Sequence, residues 1–124
     1  MSGLGTDIVE IERVRRAIAK PRFFRKVFTP SEQEWLRDLG DNAAQSAAGL
    51  FCAKEAVAKA LGTGFGKGLT FQDIEIGHTE LGAPIVVRPK GDFLLSISHC
   101  HAYAVATALC LDFHGRRNRD AVYE

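Results

Sequence analysis

The segment AAQSAAGLFCAKEAVAKAL, residues 43–61, carries the strongest helical signal in the chain. It is rich in alanine, contains no proline, and is followed by Gly62, a residue type common just after helix C-termini. We therefore predict one long helix over residues 43–61. The remaining elements are expected to pack around it.

The segment upstream predicts a strand and then a first helix. Apolar and polar residues alternate over residues 6–11, which is typical of a strand, and the apolar spacing becomes helical over residues 10–20. We expect Pro21 to end this helix. A second start signal follows, in which Thr29 fits an N-cap, Pro30 the first turn and Glu32 the acidic third position. Gly40 is expected to end that second helix.

Downstream of Gly62, short β-type segments alternate with turns that contain glycine or proline. We predict strands at residues 71–78, 83–87, 94–99 and 103–111. Helices first and strands later indicate an α+β fold, with an N-terminal strand and helices, and with the long central helix packed on a small, mostly antiparallel sheet. Residues 1–114 are assigned to a single domain and residues 115–124 to a polar tail.

The composition is that of a globular domain and argues against several classes of protein. Hydrophobic residues make up 46% of the chain and the net charge is +1, so we expect neither disorder nor a strongly basic nucleic-acid binder. No apolar run approaches the roughly 20 residues of a membrane helix, and the first residues lack the features of a signal peptide. The three cysteines, Cys52, Cys100 and Cys110, show no Cys-x-x-Cys spacing, which favours the reducing cytoplasm.

A basic segment, residues 13–26, contains no acidic residue. Such a run of basic residues more often forms the solvent-exposed face of a helix than a binding surface. The functional alternative is a surface for a small acidic protein. Nucleic-acid binding is a weaker third reading, based only on this segment and Arg116-Arg117, and it predicts steeply salt-dependent affinity.

Two carboxylates stand out, Asp7 in the predicted first strand and Glu55 within the alanine-rich helix. The ordinary explanation of Glu55 is an ion pair with Lys59 one turn later, worth a few tenths of a kcal/mol. The alternative is a magnesium site, because proteins commonly hold Mg²⁺ with one or two carboxylates, water and substrate phosphate oxygens. Lys59 would then face a phosphate, and Lys54, five positions earlier, would point elsewhere.

Two further patterns leave alternatives open. If the strand continued past His99, then His99 and His101 would share one side and could bind zinc with Cys110, although a hydrogen-bonded histidine at a strand end is commoner. Glycines alternate over residues 62–68, but they follow a helix instead of preceding one, unlike a P-loop or a dinucleotide fingerprint. This loop is either a plain turn or an anion-binding nest of backbone amides.

Three stretches taken together resemble the holo-acyl-carrier-protein synthase group of 4′-phosphopantetheinyl transferases: GTDIVEI at residues 5–11, FCAKEAVAKALG at 51–62 and SISH at 96–99. The resemblance spans nearly the whole chain and extends to residues 71–76 and 82–84. It implies the 4′-phosphopantetheinyl transferase fold. It also implies an enzyme that moves phosphopantetheine from coenzyme A to a serine of apo acyl carrier protein and releases 3′,5′-ADP.

The resemblance also implies roles for individual residues. Asp7 and Glu55 would hold Mg²⁺ against the diphosphate of coenzyme A, and the catalytic residues would be Glu55, Lys59 and His99. Coenzyme A would be bound by Lys59, Gly62, Thr63, Gly64, Pro84, Ser98 and His99. The base that takes the serine proton could be Glu55, Asp7 or a metal-bound water. Mn²⁺ accepts the same oxygen ligands as Mg²⁺, so the sequence does not distinguish the two metals.

Partners follow from the same resemblance. Acyl carrier proteins are small, acidic and helical, and Arg13 matches a family position that faces them. Charge alone extends this surface to Arg22, Arg25 and Lys26. The family forms trimers with active sites at subunit boundaries, so we expect a homotrimer. Neither a nucleic acid nor a membrane is an expected partner.

One departure from the family bears on coenzyme A. Leu50 stands where the family usually has arginine, so a clamp on the 3′-phosphate would be weaker or supplied differently. An alternative function is therefore a non-catalytic module that binds coenzyme A or an acidic carrier protein. Such a module predicts binding without turnover.

Overall fold

The predicted long helix is the centre of the fold. The computed structural model describes residues 2–66 and 68–113. Its helices are α1 (Ile11–Ile18), α2 (Pro21–Val27), α3 (Pro30–Arg37) and α4 (Ala43–Ala60), with short 3₁₀ turns at Gly40–Asn42 and Phe71–Asp73. The strands are β1 (Gly3–Glu10), β2 (Glu75–His78), β3 (Pro84–Arg88), β4 (Gly91–His99) and β5 (Tyr103–Phe113). The predicted tail, residues 115–124, lies outside the described residues.

The strands form two antiparallel units. β5 lies between β1 and β4 in a three-stranded sheet, and β2 pairs with β3 as a separate hairpin. The helix α4 packs on the inner face of the larger sheet, where Ala104, Ala106 and Ala108 of β5 are fully buried. The predicted α+β fold, with a long helix on a small antiparallel sheet, is confirmed.

Small residues allow β1 to lie directly against α4. A Cβ atom on Gly5 would overlap the carbonyl oxygen of Ala56, and one on Gly3 would overlap that of Ala60. Only glycine permits this approach without displacing the strand or the helix. The close contact places Asp7, two residues beyond Gly5, beside the C-terminal half of α4.

The predicted start of the second helix is confirmed. The prediction for the end of the first helix missed an additional helix that begins there. Thr29 accepts a hydrogen bond from the Glu32 amide, and Glu32 accepts one from the Thr29 amide, which is a complete capping box. Pro21, however, opens the additional helix α2, because proline at the first helical position lacks only an amide that would stay unpaired. The helix α3 ends at Arg37, and Gly40, with φ of 58°, begins a 3₁₀ turn.

The predicted strands are present, but their first and last residues differ from those predicted. The predicted strand at 71–78 is wrong in its first part, because Asp73 caps the Thr70 amide at 2.8 Å and closes a 3₁₀ turn there. The strands β4 and β5 extend further than predicted, to Gly91 and Phe113. Within residues 2–66 and 68–113, no helix has the length and apolar character needed to cross a membrane.

Candidate active site

The contact between β1 and α4 brings Asp7 and Lys59 together. The Lys59 ammonium lies 3.3 Å from Asp7 Oδ1 and donates to the Thr6 carbonyl oxygen at 2.9 Å. The side chain of Lys59 is 51% exposed, whereas that of Asp7 is 18% exposed. Lys59 therefore pairs with Asp7 across the fold, and the alternative of a local Glu55–Lys59 pair is wrong.

Glu55 belongs to the same charged region. Burial raises the pKa of the Glu55 carboxyl, the nearby Asp7 charge raises it further, and Lys59 opposes both effects. Two carboxylates thus lie near one ammonium group, which pairs with Asp7 alone, and this favours a negative potential at the junction of β1 and α4. Such a site fits a divalent cation with a preference for oxygen ligands, completed by water or by a substrate phosphate.

Cys52 lies near these two carboxylates. Burial and the Asp7 charge raise the pKa of the Cys52 thiol to about 12. The neutral thiol donates to the Ala104 carbonyl oxygen at 3.4 Å. In the metal-free chain this thiol is therefore protonated and held by that hydrogen bond.

The zinc alternative is wrong. The strand β4 ends at His99, and the chain turns back at residues 100–102, so His99 and His101 do not follow one strand. Cys110 is buried opposite Phe93, six residues before His99 on the same strand. Among the described residues, no group of three or more His, Cys, Asp or Glu side chains is placed to hold a metal.

The glycine loop caps α4. The Gly62 amide donates to the Lys59 carbonyl oxygen at 2.9 Å, and the Gly64 amide donates to that of Ala58 at 3.1 Å. Gly62 has φ of 89° and Gly64 has φ of 64°, so both adopt left-handed backbone. The Thr63 hydroxyl donates to the Gly64 carbonyl oxygen at 3.0 Å. The two glycine amides therefore do not form the anion nest considered above.

A second group of predicted residues lines a cleft of about 390 Å³ beside α4. The walls come from α3, the start of α4, the β2–β3 hairpin and the end of β4. Pro84 and His99 lie in this cleft, as does Leu50. Ser98 does not, because side chains alternate along β4 and Ser98 is exposed on the opposite face of the sheet from Ile97.

Sequence reasoning missed three residues of the cleft. The Gln45 amide nitrogen lies 2.6 Å from Nδ1 and 2.9 Å from Nε2 of His99. Trp35 and His78 stack with ring centroids 4.2 Å apart. The one available signal was Gln45, a polar residue in the first turn of a helix that is otherwise rich in alanine.

The four predicted partner-binding residues are exposed on the first two helices. Arg13 lies on α1, and Arg22, Arg25 and Lys26 lie on α2. Among the described residues, Arg15 and Arg16 pair with Glu12, whereas these four form no ion pair. Gln72 lies within hydrogen-bond distance of the Arg25 and Lys26 carbonyl oxygens, at 3.1 and 3.2 Å, and so holds the end of α2.

The family model of the 4′-phosphopantetheinyl transferase superfamily matches residues 3–110. The chain belongs to this superfamily. A holo-(acyl-carrier-protein) synthase of Chlamydia muridarum is 45% identical over 118 residues, which cover 88% of this chain and 94% of the relative.

Solved structures of synthases agree with this membership. That of Bacillus anthracis, in complex with CoA (3′,5′-ADP), has a TM-score of 0.81 and 35% identity, covering 90% of this chain and 96% of the other. That of Helicobacter pylori, in complex with coenzyme A, has a TM-score of 0.76 and 34% identity, covering 85% and 96%.

In this transferase chain, two separate groups of predicted residues can be distinguished. Asp7, Glu55 and Lys59 lie at the β1 side of the sheet, and Pro84 and His99 lie in the cleft at the β4 side. The strand β5 separates the two edges, a span of two strand spacings of about 4.8 Å each. Within one copy, His99 makes no contact with the carboxylates that the structure describes.

Proposed function

We propose that this chain transfers the 4′-phosphopantetheine group from coenzyme A to a serine hydroxyl of apo acyl carrier protein, with Mg²⁺ as cofactor and 3′,5′-ADP as the released product. The observation that carries the proposal is the pair Asp7 and Glu55 beside Lys59, in a chain of the phosphopantetheinyl transferase superfamily. Relatives that carry the synthase name and a coenzyme A complex support the choice of substrate. The lack of any Cys-x-x-Cys spacing supports the cytoplasm as its location.

The charged group suits transfer from a diphosphate. A divalent cation held by Asp7 and Glu55 would neutralise the diphosphate and the charge that develops on the leaving nucleotide. Lys59 is fixed by Asp7 and by the Thr6 carbonyl, yet half of its side chain stays exposed, so its ammonium is available to a phosphate oxygen.

Proton balance assigns a role to Glu55. The bond between the serine oxygen and phosphorus forms while the bond from phosphorus to 3′,5′-ADP breaks, and the serine proton must leave. In the metal-free chain, burial and the Asp7 charge raise the pKa of the Glu55 carboxyl, which makes it a better proton acceptor than an ordinary carboxylate. We therefore assign the base to Glu55.

The function is tested by the intact mass of an apo acyl carrier protein after incubation with this chain and coenzyme A. A gain of one phosphopantetheine with Mg²⁺, and none with EDTA, is the expected result. No gain with a folded chain and several carrier proteins would overturn the transferase and favour the non-catalytic binding module.

Arg13, Arg22, Arg25 and Lys26 are proposed to receive the acidic carrier protein. Reversing two of these charges, in Arg22→Glu with Arg25→Glu, is expected to raise the KM for the carrier protein about tenfold, because rim charges mainly steer association. The KM for coenzyme A should not change. Lys90→Glu, an exposed lysine outside the basic segment, is the matched control. If the double charge reversal and Lys90→Glu raised the KM for the carrier protein equally, the basic segment would not be a specific binding surface.

The outer face of the three-stranded sheet supports assembly into a homotrimer. Leu4, Leu109 and Leu94 lie in one row across β1, β5 and β4, and Ile8 lies on the same face further along β1. Leu4 is 68% exposed and Ile8 is 64% exposed, although both are large apolar residues. Exposed apolar residues of this size on a sheet face, here in two groups separated by the row Thr6, Thr107 and Ser96, indicate a protein contact.

A ring built on this face would complete the active site. If the β1 edge of one copy meets the β4 edge of the next, the carboxylate group of one subunit lies beside the cleft of its neighbour. Each site would then use Asp7, Glu55 and Lys59 from one chain and His99 from another.

Mixing two inactive variants tests this shared site. Co-expressed Asp7→Asn and His99→Ala chains should regain about a quarter of the wild-type activity, because one interface in four combines the two intact halves. Asp7→Asn mixed with Glu55→Gln is the control, since both changes damage the same half, and it should stay inactive. No recovery in the first mixture would place the whole site within one chain.

A further inference from the structure

Glu12 is the only acidic residue across residues 11–27, the span that contains both basic helices. It lies in the first turn of α1, and its side chain is 63% exposed. The four residues of the proposed carrier surface lie in the same span. A carboxylate at this place lowers the positive potential that an acidic protein meets.

The Glu12 carboxylate pairs with two arginines of the same helix. Its Oε1 accepts a hydrogen bond from Arg15 Nε at 3.1 Å, and its Oε2 lies 3.9 Å from Arg16 Nη1. Arg15 and Arg16 follow Glu12 by three and four positions, the spacings at which side chains of one helix meet. Both guanidinium groups are therefore engaged within α1.

These pairs lie on the same side of α1 as Arg13. Ile11 and Val14 are the buried residues of this helix, so its charged side chains lie on the solvent side. Arg13 and Arg16 are three positions apart and share one face. An acidic protein that docks against Arg13 therefore comes within reach of Arg16 and of the Glu12 carboxylate.

The two ion pairs are weak enough to be exchanged. The side chains of Arg15 and Arg16 are 55% and 67% exposed, and water and salt screen ion pairs between such side chains. A carboxylate on the docking protein can replace Glu12 as their partner. The exchange has little net benefit, because one ion pair is lost for each that forms and Glu12 is left unpaired opposite an acidic surface.

We propose that Glu12 limits the affinity for the acidic carrier protein by pairing with Arg15 and Arg16, which would otherwise be available to it. The inference rests on the proposed function, because it concerns the second substrate of the same reaction. It also makes Glu12 a specificity residue. A carrier protein with an acidic side chain opposite Glu12 is disfavoured, whereas one with a neutral or basic side chain there is not.

The test uses Glu12→Gln, which keeps the length and polarity of the side chain and removes its charge. The KM for an acidic apo acyl carrier protein should fall about threefold to fivefold, because two exposed arginines become available to attract it. Screening should remove this difference in about 0.5 M NaCl. The KM for coenzyme A should stay at the wild-type value. An unchanged or raised KM for the carrier protein would overturn the inference.

The sign of the effect separates this role from a structural one. An acidic residue in the first turn stabilises a helix through its dipole, so a purely structural effect of Glu12→Gln would loosen α1 and weaken carrier binding. Glu34→Gln removes the same charge from an exposed position on α3 and is the matched control. An equal fall in KM with Glu34→Gln would mean that net charge alone matters, and the inference would be wrong.

A background without the two arginines tests whether their release causes the effect. When Arg15→Gln and Arg16→Gln are already present, adding Glu12→Gln should change the KM for the carrier protein by less than about 1.5-fold, since no arginine is left to release. A full effect in this background would mean that Glu12 repels the carrier protein by its own charge. That result would overturn the inference.

Binding without turnover separates the inference from the proposed function. Fluorescence anisotropy of a labelled apo acyl carrier protein gives the Kd for wild type and for Glu12→Gln, without coenzyme A or Mg²⁺. A Kd lowered about threefold in Glu12→Gln, with no transfer by the wild type, would support the inference and remove the enzymatic function. Equal Kd values with normal transfer would overturn the inference and leave the function intact. No measurable binding by either chain would overturn the inference together with the proposed carrier surface.

Discussion

Replacing Glu55 with glutamine is expected to lower phosphopantetheine transfer about a thousandfold or more. The change removes one of two carboxylates proposed to hold the divalent cation, and it removes the proposed base, each worth several kcal/mol of transition-state stabilisation. Glutamine keeps the size and the polar end of the side chain, so packing along α4 is preserved. Intact-mass kinetics with saturating coenzyme A and carrier protein measure the loss.

The same variant should be more stable than the wild type when no metal is present. Because burial and Asp7 raise the pKa of Glu55, the folded chain binds this proton more tightly than the unfolded chain. Stability therefore falls as the pH rises through the interval between the ordinary carboxyl value and the raised one. Glu55→Gln should show a higher Tm than wild type at pH 7.5 in EDTA, and this difference should vanish near pH 4.

The change in Tm on adding Mg²⁺ tests whether Glu55 binds the metal. Added Mg²⁺ should raise the Tm of the wild type, because binding to the folded state alone stabilises it, and it should have little effect on Glu55→Gln. Glu34→Gln, an exposed carboxylate on α3, is the control and should leave activity and the response to Mg²⁺ unchanged. If Glu55→Gln kept the wild-type response to Mg²⁺, the metal would have to bind elsewhere.

Local signals in the sequence predicted local structure well. The long helix depends on its own composition and on Gly62 as its cap, and the start of α3 depends on Thr29, Pro30 and Glu32, which lie within four residues of one another. The structure confirms each of these. Pro21 shows the limit of such signals, since proline both follows one helix and begins another, and only the packing of α2 against its neighbours decides between them.

The contacts that build the site could not be predicted from spacing. Lys59 has a carboxylate one turn away, yet it pairs with Asp7, 52 positions away, because Gly3 and Gly5 let β1 lie against α4. Gln45 and His99 are 54 positions apart, and the pairing of β4 with β5 sets their separation. The resemblance named Asp7, Glu55 and His99 individually, but only the fold shows that they form two groups at opposite edges of a sheet.

Replacing Lys54 with methionine is expected to destabilise the fold by about 3–5 kcal/mol, a large share of the stability of a typical domain. The Lys54 ammonium donates to Glu32 Oε1 at 2.6 Å and to the Val27 carbonyl oxygen at 2.8 Å, and both side chains of the pair are completely buried. Burial lowers the pKa of Lys54 and Glu32 opposes this effect. Methionine would leave the Glu32 carboxylate buried without a cation. Urea unfolding followed by circular dichroism measures the difference.

A second change separates the lost charge pair from lost packing. In Lys54→Met with Glu32→Gln the buried charge is gone, so the double variant should be less destabilised than the single one. This holds even though a glutamine side chain has only one oxygen to replace the two that accept from the Thr29 and Ile76 amides. Lys90→Met, at an exposed lysine, should change stability by less than about 0.5 kcal/mol. A Lys54→Met variant within about 1 kcal/mol of wild type would mean that water reaches the pair.

The position of Lys54 also ties stability to function. Lys54 directly precedes Glu55 on α4 and holds the end of α2 through the Val27 carbonyl oxygen, so it links the proposed metal site to the proposed carrier surface. A Lys54→Met chain that still folds should therefore show a raised KM for the carrier protein, because the end of α2 loses this anchor. The KM measured with Lys90→Met should equal that of the wild type.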